Sequence, residues 1–323
     1  MQSDPDTRSH PVRIGISACL LGSEVRYDGG HKRDPFLVET FGRFVEWVPV
    51  CPEVELGLGI PRPTLRLEGD HDDVRLVMPS TGHDYTAAMR AYAGRRVAAL
   101  ATDALRGYIL KKDSPSCGME RVKVYGAHNV PAKSGRGLFA ETLLQRFPHL
   151  PIEEEGRLND PALRENFVER VFAYRRLRAF FEAHWTIGGL VAFHSAHKLQ
   201  LLAHSAEGYE GLGRVVAGAK ARPHAALRRD YEAQFMSALQ ILATRKRHAN
   251  VLQYIAGYFK RQLDDDSRRE LLALIDDYRR GLAPLVVPIT LVRHYARRFA
   301  VGYLQGQTYL DPHPKEMMLR NHV

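Results

Sequence analysis

Three cysteines stand in this chain, and each follows an apolar run that ends in a loop of small or turn-forming residues. Cys19 follows RIGISA, Cys51 follows EWVPV, and Cys117 follows YILKKDSPS. In an open parallel sheet the carboxyl ends of the strands form one edge, and sites are built there. Loops distant in sequence can then bring three thiols together. A structural zinc site takes four protein ligands, and here a fourth cysteine is absent and no histidine of the first half stands in a ligand motif. An iron–sulfur cubane takes one thiolate per iron. Three thiolates would leave one iron open to a substrate atom as a Lewis acid. Two other readings use the same residues: three ordinary buried small side chains, or a single catalytic thiol. No CxxC pair decides among them.

The elements that must position these residues are legible as strand–helix alternation. VRIGISA (12–18), FVEWVPV (44–50), VRLVMP (74–79) and GYILK (107–111) read as strands, and helical spacing covers 84–105 and about 137–147. This predicts an α/β N-terminal domain with a mainly parallel, Rossmann-like sheet over 1–160. The rest reads as all-α. Asp160 and Pro161 are a helix start, and Phe167, Val171, Tyr174 and Phe181 share a face. A second stripe runs through Leu227, Tyr231, Phe235, Leu239 and Leu242, with further helices at about 249–263, 267–280 and 288–305. Residues 161–192 are expected to be a connecting helix and linker, with the boundary at TIGGLVA (186–192), and 193–323 a basic helical domain.

Length, with 323 residues, suits two domains. The start MQSDPDTRSHPVR shows no apolar targeting segment, and no apolar run approaches a membrane span. A cytoplasmic protein is expected, whose odd cysteine count rules out a full disulfide framework. Charge is uneven. Residues 1–160 carry 21 Lys and Arg against 22 Asp and Glu, whereas 161–323 carry 25 against 15. A neutral half beside a basic half points to chemistry in one domain and a polyanion for the other, or to a solvated arginine-rich helical surface.

The segments SACLLGSEVRYDGGHK (17–32), PVCPEVELGLGIPRP (49–63) and KKDSPSCG (111–118), in this order, resemble the thiouracil desulfidase family over about residues 12–160. The remainder, with FHSAHKLQLLAHSAEGYEGLGRVVA (193–217), resembles the helical domain fused to that fold in two-domain members associated with desulfurising 4-thiouridine in tRNA. The resemblance implies a 4Fe-4S cluster on Cys19, Cys51 and Cys117 with one open iron. Some single-domain relatives carry another cysteine just before the Arg-Tyr-Asp-Gly stretch; Val25 stands there in this chain.

The implied chemistry is hydrolysis without a redox change: water enters at the thiocarbonyl carbon and sulfide leaves. Glu53, two residues after Cys51, is expected as the acid/base residue, with Glu55 its rival and a helix N-terminal carboxylate the structural alternative. Ser114 is expected to relay a proton or bind the base; it equally suits a turn before Pro115. Ser17, Arg26, Tyr27, Asp28 and Lys111 are candidates to orient a nucleobase or phosphate, with Asp28-Gly29 also plain turn chemistry. Arg62 either binds phosphate or braces its loop. In the second half Arg228, Arg229, Arg245, Lys246, Arg247, Arg293, Arg297 and Arg298 are candidate RNA contacts, since phosphate contacts give affinity with little sequence readout. His194, His197 and His204 are expected on one helical face, for packing, RNA contact or zinc. The leading expectation is a tRNA desulfidase. Its alternatives are a desulfidase of free thiouracil or a thiouridine nucleotide, and a non-enzymatic RNA-binding metalloprotein.

Overall fold

A computed structural model describes residues 12–70 and 73–322. Apart from Val12 and Arg13, the stretch read for a targeting signal lies outside the described residues. The chain divides into two compact units, Met1–Asn159 and Asp160–Val323.

The first unit is built on a four-stranded, all-parallel sheet. Its strands are β1 (Val12–Ser17), β2 (Val45–Val50), β6 (Gly107–Leu110) and β9 (Ile152–Glu154), in the order β2-β1-β6-β9. Parallel strands covered on both faces need continuous apolar runs rather than alternation. β6 meets that condition with all four residues buried, and β1 with five of six. The register pairs Ser17 with Val50 and Ile16 with Ile109, so β1, β2 and β6 end side by side. Helices α2 (Thr86–Leu100) and α3 (Leu138–Arg146) supply buried Met89, Val97, Phe139 and Leu143 to the core.

A second sheet departs from the sequence expectation. VRLVMP forms β4 (Arg75–Met78), which does not join the parallel layer. It pairs antiparallel with β3 (Arg66–Glu68) and β5 (His83–Asp84), and the order is β5-β4-β3-β7-β8, with β7 at Val122–Tyr125 and β8 at Pro131–Gly135. Only β3 and β7 run parallel within it.

The second unit is helical: α4 (Pro161–Glu182), α5 (Ile187–Ala196), α6 (Lys198–His204), α7 (Ala206–Ala217), α8 (His224–Gln240), α9 (Arg245–Ala256), α10 (Asp265–Arg280), α11 (Val286–Arg298) and the short α12 (Gly302–Gln305). Asp160 caps α4 by accepting from the amides of Ala162 and Leu163, with Pro161 in the first turn. The structure places α4 within this unit rather than between units, because 13 of its residues are buried, including Phe167, Val171, Tyr174 and Phe181. TIGGLVA is likewise not a linker: Thr186 caps α5, and the following residues are its first turns.

Two expectations about helical faces are corrected. α8 ends at Gln240 and Ile241 is extended, so the stripe stops at buried Leu239 and Leu242 is 39% exposed. The three histidines do not share one face, because the helix breaks at His197. His194 meets the Tyr231 hydroxyl at 3.2 Å, His197 the Phe193 carbonyl at 2.8 Å, and His204 the Ile241 carbonyl at 2.7 Å. Each is a packed, hydrogen-bonded core residue.

Candidate iron–sulfur centre

The ends of β1, β2 and β6 open into one cleft of about 360 Å³, and Cys19, Cys51 and Cys117 all line it. Each thiol is positioned by a different local device. Cys19 sits in a 3-10 turn, Ala18–Leu21, whose carbonyl receives the amides of Gly22 and Lys32. Cys51 is the N-cap of α1 (Pro52–Glu55), with Pro52 at its first position. Cys117 lies in a loop clamped by the start of α3, where the amides of Phe139 and Ala140 both donate to the Ser116 carbonyl. That clamp needs Gly137: a Cβ there would lie 2.5 Å from the Ser116 carbonyl group.

Burial governs the thiols. It raises Cys19 to about 11, against an opposing pull from Lys111. It also raises Cys51, and it pushes Cys117 well up although the Ser17 hydroxyl hydrogen-bonds to it. A thiolate in this cleft therefore needs a positive partner. Among the described residues no three His, Cys, Asp or Glu side chains converge tightly enough to hold a single metal ion.

Glu53 projects from α1 into the same cleft, and both its oxygens are held. Arg62 donates to Oε2 through Nε at 2.9 Å and Nη2 at 2.7 Å, and the Ser116 hydroxyl donates to Oε1 at 3.0 Å. Arg62 is itself fixed by donating to the carbonyls of Val25 and Gly59 at 3.0 and 3.1 Å. Its side chain is 3% exposed, so it braces the loop rather than meeting a phosphate. Glu55 is turned away: its carboxylate receives the Cys51 amide, the Tyr92 hydroxyl at 2.6 Å and Arg96 at 3.1 Å.

The other candidate residues divide. Tyr27 lines the cleft, 41% exposed, with the Arg26 guanidinium 5.3 Å from its ring centre. Ser17 lines it too, but its hydroxyl is occupied in joining β1 to β6, accepting the Lys111 amide at 3.0 Å. The Lys111 ammonium pairs with Glu155. Asp28 is not part of the cleft lining; its carboxylate accepts the Gly30 amide, which holds it below the usual range, and pairs with Arg26. Ser114 lines the cleft, yet its oxygen accepts the amides of Ser116 and Cys117 at 3.2 and 3.0 Å, a serine turn that shapes the cysteine loop. Ser116 was not anticipated. It is fully buried, and its partner is 63 residues away, so only the SPSC repetition of serine hinted at it. Lys32 and Lys112, which also line the cleft, were missed as well.

In the second unit Arg229, Arg245, Lys246 and Arg297 are exposed. Arg293 pairs with Asp311 at 2.8 Å, Arg247 donates to the Leu242 carbonyl, and Arg228 donates to the Phe181 carbonyl. These three are engaged within the unit. A cavity of about 330 Å³ also lies here, but its buried Glu165 and Glu169 are already opposed by Arg320 and His204.

Comparison with known proteins agrees with this division. Residues 14–155 match the family described as 2-thiouracil desulfurase, and residues 198–314 match a family described as protein of unknown function, DUF1722. The chain belongs to the thiouracil desulfidase family, in a form with a C-terminal DUF1722 domain. It is similar to two uncharacterized bacterial proteins. YbgA of Escherichia coli K12 is 36% identical over 156 residues, covering 47% of this chain and 90% of that protein. YbbK of Bacillus subtilis 168 is 30% identical over 155 residues, covering 46% of this chain and 98% of that protein. A solved structure described as the 4Fe-4S-dependent thiouracil desulfidase TudS is 31% identical, with a TM-score of 0.39, covering 48% of this chain and 99% of that one. No helix among the described residues is long and apolar enough to cross a membrane.

Proposed function

We propose that this protein is an iron–sulfur-dependent desulfidase that converts 4-thiouridine in tRNA to uridine and releases sulfide. The observation that carries the reading is the convergence of three thiols, two buried and one half-buried, from neighbouring strand ends on one cleft with a braced carboxylate. The donor set fits a 4Fe-4S cluster on Cys19, Cys51 and Cys117. Iron supplies the positive charge that thiolates in this cleft lack. Bound there, such a cluster offers one iron without a protein ligand, a thiophilic Lewis acid for the substrate sulfur.

The rest is done by the chain. The exposed ring of Tyr27 stacks on the pyrimidine at the cleft mouth, with Arg26 beside it. Glu53 takes a proton from water. The water oxygen bonds to the thiocarbonyl carbon, the carbon–sulfur bond breaks, and sulfur leaves as sulfide, with no net electron transfer. Arg62 and Ser116 hold the carboxylate in one orientation: Oε2 spends both lone pairs on Arg62, and Oε1, which accepts from Ser116, keeps one for water. Ser114 spends its oxygen on the turn and offers its hydroxyl hydrogen to the base.

The basic second unit supplies RNA affinity through exposed Arg229, Arg245, Lys246 and Arg297. The thiolated base must leave its stack to reach the cleft. A second reading takes free thiouracil or its nucleotide as substrate, and the family's description favours it. Turnover of both substrates over a salt series separates them. The tRNA reading expects turnover of tRNA to fall steeply with salt while turnover of the free base does not. Equal salt dependence would sink it.

A further inference from the structure

The helical unit carries a partly exposed aromatic cluster that neither the cysteine cleft nor the arginine surface uses. Lys198 opens α6, Tyr254 lies on α9, Tyr258 in the turn after it, and Tyr303 on α12. The Lys198 ammonium donates to the Tyr254 hydroxyl at 3.1 Å, and the Tyr254 and Tyr258 hydroxyls are 3.1 Å apart. Tyr258 and Tyr303 stack with ring centres 5.2 Å apart at 17°, and Tyr254 stands edge-on to Tyr258 at 76°. Tyr254 is 43% exposed, and Tyr258 and Tyr303 are half-buried.

Three features identify what such a surface takes. Two of its rings are already stacked and the third, Tyr254, is exposed, so a further flat ring can add to them at little entropic cost. Its cation is internal: Lys198 lies 5.0 Å from the Tyr254 ring centre and 5.8 Å from that of Tyr209. It fills the place a cationic ligand would need, so a quaternary ammonium is excluded. The hydrogen bond with Tyr254 also raises Lys198 above its ordinary range, which keeps it charged at neutral pH. A ligand that is both flat and anionic satisfies rings and ammonium together, as a nucleotide does. The 25 basic against 15 acidic residues of 161–323 favour a polyanion over an isolated mononucleotide.

We propose that Tyr254, Tyr258, Tyr303 and Lys198 form a platform on which an unpaired nucleotide of the RNA substrate stacks. Stacking on tyrosine with a phosphate beside lysine is how unstacked RNA bases are held without strict sequence readout. The platform rests on the reading of tRNA as substrate and gives the helical unit a contact that phosphate attraction alone would not.

The test uses the full-length, cluster-loaded protein and tRNA bearing 4-thiouridine, with binding measured over a salt series and turnover of free thiouracil as a control. Tyr254→Ala is expected to weaken tRNA binding about ten-fold without changing the salt slope. Tyr254→Phe, which keeps the ring, is expected to stay near wild type. Lys198→Ala is expected to reduce the salt slope by about one. Turnover of free thiouracil is expected to be unchanged in all three. Wild-type binding of tRNA that Tyr254→Ala leaves intact overturns the platform alone. Failure of the wild type to bind tRNA overturns the RNA reading with it. Poly-glutamate binding as tightly, and as sensitively to Tyr254→Ala, would assign the surface to an acidic protein and overturn it too.

Discussion

Replacing Arg62 tests the architecture around Glu53 most sharply. Its buried guanidinium makes four hydrogen bonds, two to Glu53 and two to the carbonyls of Val25 and Gly59. A lysine ammonium is a point charge that cannot reproduce this fork. Arg62→Lys is expected to keep about half of these bonds. At about 1–1.5 kcal/mol for each lost bond, it costs about 2–3 kcal/mol. Arg62→Ala leaves a largely buried carboxylate without its cation and costs about 3–5 kcal/mol. With a urea slope of about 1.5 kcal/mol per molar, Arg62→Lys lowers the unfolding midpoint by about 1–2 M. The two tryptophans, Trp47 and Trp185, fall in different units, so a Trp185→Phe background lets Trp47 report the first unit alone. The same variant loosens Glu53 and should lower kcat for desulfidation about ten-fold or more with little change in KM. Exposed Arg90→Ala is the control. An Arg62→Lys protein whose midpoint and kcat both match the control would refute the bracing role.

Three further outcomes follow from particular contacts. Burial lowers His197 and His248 to about 3 and His313 to about 4, so the unfolded state binds more protons below pH ~6.5. The stability they contribute is complete above that pH and is lost as pH falls towards the folded values. At pH 5 each contributes about 2 kcal/mol less than at pH 7, so the second unit's Tm should drop steeply from pH 7 to 4.5 by calorimetry, and a flat profile would count against neutral burial. Gly137→Ala drives a Cβ into the Ser116 carbonyl, and the displaced Cys117 loop should show as a large loss of iron per chain after anaerobic reconstitution. Tyr92→Phe removes a 2.6 Å bond to Glu55 and should cost about 2 kcal/mol in urea unfolding while leaving kcat unchanged, since Arg96 still holds Glu55.

The strands that carry the site were legible because β1, β2 and β6 are short apolar runs bounded by Gly, Pro and Ser, and the loop after each carries a cysteine. Most of the second sheet was not. β5 has two residues, β3 three, and β8 reads PAKSG with four of its five residues exposed, so no alternation marks them. The carboxylate was legible from its spacing to Cys51, but its support was not. Arg62 is recognisable as a brace only once its loop folds back to Glu53 and Val25, and Ser116 only once two distant loops meet. The histidine triplet misled because periodicity cannot show a helix break that His197 itself caps. The aromatic platform draws on three separate helical segments and a turn, and no window of sequence contains it.

The most direct measurement follows the near-ultraviolet absorbance of 4-thiouridine in tRNA mixed with anaerobically reconstituted protein, with sulfide assayed in parallel. The account predicts that absorbance is lost with one sulfide released per thiouridine. It predicts no loss with Cys117→Ser, which removes a ligand, and none with Glu53→Gln, which keeps the cluster. Persistent absorbance with the cluster in place, or full activity of Glu53→Gln, would contradict it.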